Sequence, residues 1–182
     1  GLDANGRITG FIHAFAERHD PPEATHIAYD VPDRVARFVT GTNPIPWGPW
    51  RSVDHTQHGF FIESFIDEAA QAAGRDPLDF RLAMLGKSPR HKAVLEKVAA
   101  MAGWSTKLAA GWGRGIALTE SFGSIVAEVV EVDMTGGKPR LTNVWCAADP
   151  GFAMNPDGFR NQMEGGIVFG LTAALHGEIS LK

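Results

Sequence analysis

A mixed α+β fold is what this sequence predicts, on three observations. Apolar residues recur at helical spacing through the middle of the chain, at Phe61, Ile62, Phe65, Ile66, Ala69, Ala70 and Ala73, with Glu63, Asp67, Glu68 and Gln71 between them. Strand-like stretches flank that middle, Arg34 to Thr40 before it and Ile116 to Glu120, Ile125 to Val132 and Arg140 to Ala147 after it. A second helical pattern, roughly Asp157 to Leu175, closes the chain. Strands and helices are thus segregated, with a three-helix middle section and a C-terminal helix, rather than alternating as in a parallel α/β fold.

The elements follow in order. Asn5-Gly6 is a turn signal that feeds a strand carrying Ile8, Phe11, Ile12 and Phe15, and Asp20-Pro21-Pro22 breaks it. After the strand at 34–40 comes Asn43-Pro44-Ile45-Pro46-Trp47-Gly48-Pro49-Trp50, where the prolines exclude both a helix interior and a central strand. This is a rigid loop that bears aromatic rings. The first helix of the middle section stops at Gly74. Asp76-Pro77 opens the second, with a capping residue and a proline at its first helical position, and it runs to Gly86. The third follows Ser88-Pro89, carries Val94, Leu95, Val98 and Met101, and ends at Gly103. Ser121-Phe122-Gly123 and Thr135-Gly136-Gly137 turn the later strands back on one another. Asp149-Pro150-Gly151 and Asn155-Pro156 separate those strands from the last helix.

Composition narrows the function classes. The chain has 182 residues, with 17 basic and 21 acidic side chains and a net charge of −4, so nothing in the charge balance favours a phosphate backbone. A hydrophobic fraction of 44% and a charged fraction of 21% are ordinary globular values. One cysteine, Cys146, builds neither an internal disulfide nor a thiolate cluster. No apolar run reaches the ~20 residues of a membrane helix. The first residues lack the basic and apolar regions of a signal peptide.

Several motifs carry chemistry weakly. His55 and His58, three apart at a helix start, are able to share a face and clip a metal, but no third ligand lies in register. Ser121 lacks the glycine that a nucleophile elbow places two residues before its serine, since Thr119 stands there. Gly111-Trp112-Gly113-Arg114-Gly115 precedes a strand, whereas phosphate-binding glycine loops follow one. Gly165 and Gly166 are different, because they sit inside a predicted helix, where each costs ~1 kcal/mol relative to alanine. Either a packed neighbour or a bound ligand offsets that cost.

Four stretches together resemble a known family. Trp50-Arg51-Ser52-Val53-Asp54-His55-Thr56-Gln57 with Phe61-Ile62-Glu63-Ser64-Phe65-Ile66-Asp67-Glu68, then Gly74-Arg75-Asp76-Pro77-Leu78-Asp79-Phe80-Arg81, then Asp149-Pro150-Gly151 through Asn155-Pro156, and Gln162-Met163-Glu164-Gly165-Gly166 with Gly170-Leu171 all occur in family order. They resemble the molybdopterin-binding large (beta) subunit of the xanthine oxidase family, on its isoquinoline 1-oxidoreductase and aldehyde oxidase branch. The resemblance implies that 1–182 is a single segment of a molybdopterin-binding domain, with strands and the Pro/Trp loop at 1–50, helices at 57–104, and strands plus a helix at 111–182. It implies a bacterial molybdenum hydroxylase in which a molybdopterin (cytosine dinucleotide) cofactor oxidises an aldehyde or an N-heterocyclic carbon with water-derived oxygen. Electrons would leave through [2Fe–2S] clusters on a small partner subunit. Arg51 matches a family arginine whose backbone lies against the metal's ligands, and Gln162 a glutamine that hydrogen-bonds the pterin. Gly165 and Gly166 would let the helix approach it, and Trp47, Trp50 and Phe60 would line the path of an aromatic substrate.

Departures from the pattern matter as well. No Gly-Gln-Gly motif occurs, and Gly177-Glu178 follows the Gln162 helix too closely to supply the family's catalytic glutamate, which is expected beyond Lys182. The chain is therefore expected to be a piece of a longer subunit and inactive alone. The alternative reading is a stand-alone protein-binding or assembly module that keeps the fold without the chemistry. Periplasm and cytoplasm both stay open.

Overall fold

The computed structural model describes residues 1–17, 19, 21–42, 46 and 48–180, in two compact units, Gly1–Asp149 and Pro150–Lys182. The first unit holds two sheets and three helices. Strands β1 (Gly10–Glu17) and β2 (Asp33–Thr40) pair in parallel, with Gly10 opposite Asp33 and Glu17 opposite Thr40. Helices α1 (His55–Ala72), α2 (Pro77–Ala83) and α3 (Pro89–Met101) follow. Strands β3 (Trp112–Ser121), β4 (Ser124–Asp133) and β5 (Arg140–Asp149) then form an antiparallel meander. The second unit is built on helix α4 (Pro156–His176). The described residues thus make a mixed α and β structure of four helices and two sheets.

Local chemistry explains the boundaries. Gly74 ends α1 in the left-handed conformation, φ 62°, while the Arg75 N–H closes back on the Ala70 carbonyl. Asp76 caps α2 by accepting from the Leu78 and Asp79 N–H groups at 2.9 and 3.1 Å, and Pro77 follows at the first helical position. Asn155 caps α4 in the same way, accepting from the Gly158 N–H at 2.9 Å. The first helix starts at His55, two residues before the expected 57, because the turn at 51–54 hands its carbonyls directly to the helix. Strand β3 begins at Trp112 instead of Ile116, since Trp112 to Gly115 stay in register with Val130 to Asp133.

The core lies where α1, α2 and α3 meet β3 and β4. Strand β4 alternates cleanly, with Ile125, Ala127 and Val129 buried, and α3 brings Leu95 and Val98 against that face. Ile66 of α1, with Phe80 and Leu85 from α2 and the turn after it, completes the same cluster. The parallel pair is different. Almost all of β2 is exposed, Val35 and Val39 included. Among the described residues, no helix is long and apolar enough to cross a membrane.

Candidate functional site

Arg51 stands in a tight, strained turn at the entrance to α1. Ser52 and Val53 both take left-handed backbone conformations, φ 68° and 50°, which for a β-branched valine is a true outlier costing about 1–3 kcal/mol. Hydrogen bonds hold the turn: Val53 N–H to Trp50 O at 2.9 Å, His55 N–H to Ser52 O at 3.1 Å, and the Thr56 hydroxyl to Arg51 O at 3.0 Å. Asp54, just before the helix, pairs with His19 at 2.7 Å. The backbone strain of this turn thus lies at the two residues that follow Arg51.

Behind this turn, α1 carries two buried polar clusters. In the first, both Glu63 oxygens are used. Oε1 accepts from the Tyr29 hydroxyl at 2.9 Å, and Oε2 accepts from Arg81 Nε at 3.0 Å and from the Leu118 N–H at 2.9 Å. Arg81, fully buried, also donates to Asp67 at 2.6 Å and to the Glu63 and Pro77 carbonyls. Burial pushes the Glu63 carboxyl up, against the pull of Arg81, the Leu118 N–H and Tyr29, while burial and the nearby Glu63 charge push the Tyr29 phenol well above its usual range. In the second cluster, His58 is fully buried, with Nδ1 3.3 Å from His13 Nε2 and Nε2 3.0 Å from a Glu17 oxygen. That last contact is close but badly aligned for a hydrogen bond, and His13 Nδ1 is buried with no hydrogen-bond partner among the described residues. Phe15 and Phe61 pack edge-on against the His58 ring.

These clusters give the histidine pair separate surroundings. His58 is turned inward to His13 and Glu17, whereas the His55 ring lies 4.9 Å from the Phe122 ring. Among the described residues no group of three or more His, Cys, Asp or Glu side chains is placed to hold a metal ion. Ser121 is the last residue of β3 and pairs with Ser124 across the hairpin. Arg81, a motif position by sequence, proves to be the buried cation of the core, a role that no local spacing signals.

A cavity of about 320 Å³ opens beside this core, between α1, α3, the 23–29 segment and the β3–β4 hairpin. His91 from α3 donates through Nε2 to Glu120 at 2.9 Å, because a carboxylate only accepts. Phe122 hangs at the hairpin tip with φ 51°, followed by Gly123 at 77°, so the two-residue turn needs positive φ at both positions. Glycine or asparagine is the usual first residue there, and phenylalanine is strained. A second cavity of about 580 Å³ runs along α1 past Phe60 and Glu128 and shares His55, Gly59 and Glu63 with the first. Glu128 neighbours the half-buried Cys146, whose thiol is pushed up to about 12 by burial and by that carboxyl.

The remaining sequence candidates fall as follows. Trp50 and Phe60 are exposed, Phe60 at 69%, and Trp47 lies outside the described residues. Gln162, Gly165 and Gly166 stand in the middle of α4, and spacings of three and four residues put them on one face. No residue of α4 is buried within the chain. A carboxamide flanked by two positions without side chains, on an open helix face, suits a polar group that must come close to backbone. That face offers one hydrogen-bonding side chain beside two positions that take up no space.

Comparison with known proteins places the chain. Residues 80–182 match the model of the molybdopterin cofactor-binding domain. The chain is 38% identical over 154 residues to the beta chain of isoquinoline 1-oxidoreductase from Brevundimonas diminuta, a match covering 82% of this chain and 20% of that protein. It is 30% identical over 197 residues to one of the subunits of nicotinate dehydrogenase from Pseudomonas putida, covering 96% and 16%. It is 29% identical over 147 residues to the membrane-bound aldehyde dehydrogenase [pyrroloquinoline-quinone] of Gluconacetobacter polyoxogenes, covering 69% and 19%. The chain thus spans about one fifth or less of the length of these curated relatives.

Proposed function

Because the chain belongs to the molybdopterin cofactor-binding domain family, among the molybdopterin subunits of the xanthine oxidase family, we propose that it forms one part of the cofactor pocket of a molybdenum hydroxylase. The whole protein is then an oxidoreductase acting on an aldehyde or on the carbon beside a ring nitrogen, and both units described above belong to a single molybdopterin-binding domain. The observation that carries this reading is the family match over 80–182, which contains the helix whose one face bears Gln162, Gly165 and Gly166. The names of the relatives support the reaction class: each is a dehydrogenase or oxidoreductase, and two are designated as one subunit of a larger enzyme.

In this proposal Gln162 hydrogen-bonds the pterin, in its cytosine dinucleotide form, and Gly165 and Gly166 leave the space for it. The strained turn at Ser52-Val53 presents the Arg51 backbone to the metal's ligands, and Trp47, Trp50 and Phe60 line the substrate's path. When bound, the cofactor supplies delivery of water-derived oxygen to an electron-poor carbon and takes up two electrons. A small subunit carrying [2Fe–2S] clusters receives those electrons. The catalytic base belongs to a part of the large subunit outside these residues.

The test is molybdenum content together with isotope incorporation in the complete enzyme. The intact protein should carry about one molybdenum per large subunit, and product formed in ¹⁸O-labelled water should acquire the label. Gln162→Ala should lower molybdenum occupancy in protein that circular dichroism shows to be folded. Unchanged molybdenum content in that variant would refute its assignment, and an unlabelled product would refute the hydroxylase reading.

A further inference from the structure

A further cavity, of about 190 Å³, lies between one face of the β1–β2 sheet and residues 25–27. The strand register makes it. Phe11 stands opposite Arg34 and His13 opposite Ala36, so these four side chains share a face, and the short Ala36 leaves room beside His13. Residues 25–27 are tied to that face where Arg34 Nη1 donates to the Ile27 carbonyl at 3.3 Å. The polar side chains of the lining are one arginine, two histidines and one threonine, with no carboxylate among them. Two of these are already committed. His13 turns Nε2 to His58 and has its Nδ1 buried, and the Thr25 hydroxyl donates to the Pro22 carbonyl at 3.2 Å. The N–H groups left for a ligand belong to Arg34 and His26, both exposed. Arg34 is also unlike the arginines around it. Arg81, Arg90, Arg114 and Arg140 each pair with a carboxylate, whereas Arg34 meets a neutral carbonyl and, among the described residues, no carboxylate. Its guanidinium is thus held at one corner with its charge unanswered and most of its donors unused.

We infer that this cavity is a binding site for a small oxyanion of the phosphate or sulfate class, with Arg34 pairing with its oxygens and His26 donating to another. The planar fork of a guanidinium matches two oxygens of such an anion, and the charge makes each hydrogen bond stronger than a neutral one. A cation would meet Arg34 with no carboxylate to offset it. The cavity, about 190 Å³, is smaller than the ~300 Å³ at which small-molecule sites begin. It therefore takes the anionic group itself, either free or as the end of a monoester whose remainder stays outside. The site uses none of the residues assigned to the cofactor and does not depend on the hydroxylase reading.

The experiment titrates the complete enzyme with sodium phosphate, sodium sulfate and glycerol 2-phosphate by calorimetry, with sodium chloride holding the ionic strength constant. Saturable one-to-one binding is expected, weakened about tenfold or more by Arg34→Gln, as loss of a charge-assisted pair requires. His26→Gln should weaken it severalfold. Arg37→Gln is the control. Arg37 is exposed on the same strand but stands opposite Ala14, on the other face of the sheet, so its loss removes the same charge without touching the cavity. Affinity should be unchanged there, and circular dichroism of the three variants verifies the fold. An inorganic anion that binds at least as tightly as the ester names a free anion as occupant, and a tighter ester names a phosphorylated ligand; both support the oxyanion chemistry. No saturable binding, unchanged affinity in Arg34→Gln, or equal losses in Arg34→Gln and Arg37→Gln would overturn the site. Binding should persist in protein without molybdenum, and its loss there would assign the anion to the cofactor pocket and overturn the site as well.

Discussion

Helix α1 carries two buried polar clusters about one turn apart, and they are built to opposite standards. At Glu63 every strong hydrogen-bonding atom has a partner: two oxygens receive three donors, and the Arg81 guanidinium is spent on two carboxylates and two carbonyls. At His58 the arrangement is incomplete. One imidazole contact is misaligned, and the neighbouring His13 Nδ1 has no hydrogen-bond partner among the described residues. A satisfied network in a low-dielectric interior fixes one arrangement, whereas a partly satisfied one leaves alternatives close in energy. The first cluster is thus the rigid clasp joining α1, α2 and β3, and the second is the soft joint by which β1 leans on α1.

Breaking the clasp is the largest way to test this contrast. Arg81→Met strands Glu63 and Asp67 without their cation and should destabilise the protein by about 3–5 kcal/mol, measured by denaturant unfolding. Tyr29→Phe removes one of three donors to Glu63 and should cost less, about 1–3 kcal/mol by the same measurement. Equal costs for the two variants would mean that the network is not centred on the ion pair.

The smallest effect belongs to the joint and is read as a pH dependence. Burial, followed by the adjacent His58, lowers the His13 pKa below its ordinary value of 6.5, while Glu17 opposes the shift. The unfolded chain then binds a proton that the folded chain refuses, so stability is full above that value and declines as pH falls below it. The thermal midpoint should drop between about pH 7 and pH 5, and His13→Phe should flatten the decline. An unchanged slope in that variant would place the pH sensitivity elsewhere.

Helices and hairpins were legible in the sequence because their causes are local. Gly74, Asp76-Pro77, Ser88-Pro89 and Asn155-Pro156 act within a few residues of the boundaries they set, and the period of the apolar residues names the faces. The parallel pairing of β1 with β2 was not legible, since it brings together residues 23 apart in sequence, a separation at which no local signal acts. Nor was either cluster: Glu63 meets Arg81 across 18 residues and Leu118 across 55, and His58 meets His13 across 45. The histidine spacing therefore suggested a shared face, where tertiary contacts send the two rings different ways. Motif resemblance singled out Arg51 and Gln162, but the strain in the turn after Arg51 became visible only in the backbone angles.

Cys146, the chain's single thiol, has a practical consequence. Burial and then the neighbouring Glu128 push its thiol up to about 12, so little of the reactive thiolate forms and alkylating reagents act on it slowly while the β4–β5 pairing holds. Opening of the pair, which ends both the burial and the Glu128 contact, would return the sulfur to ordinary reactivity. The native residue is thus a ready-made clock for the opening of that strand pair, needing no introduced label.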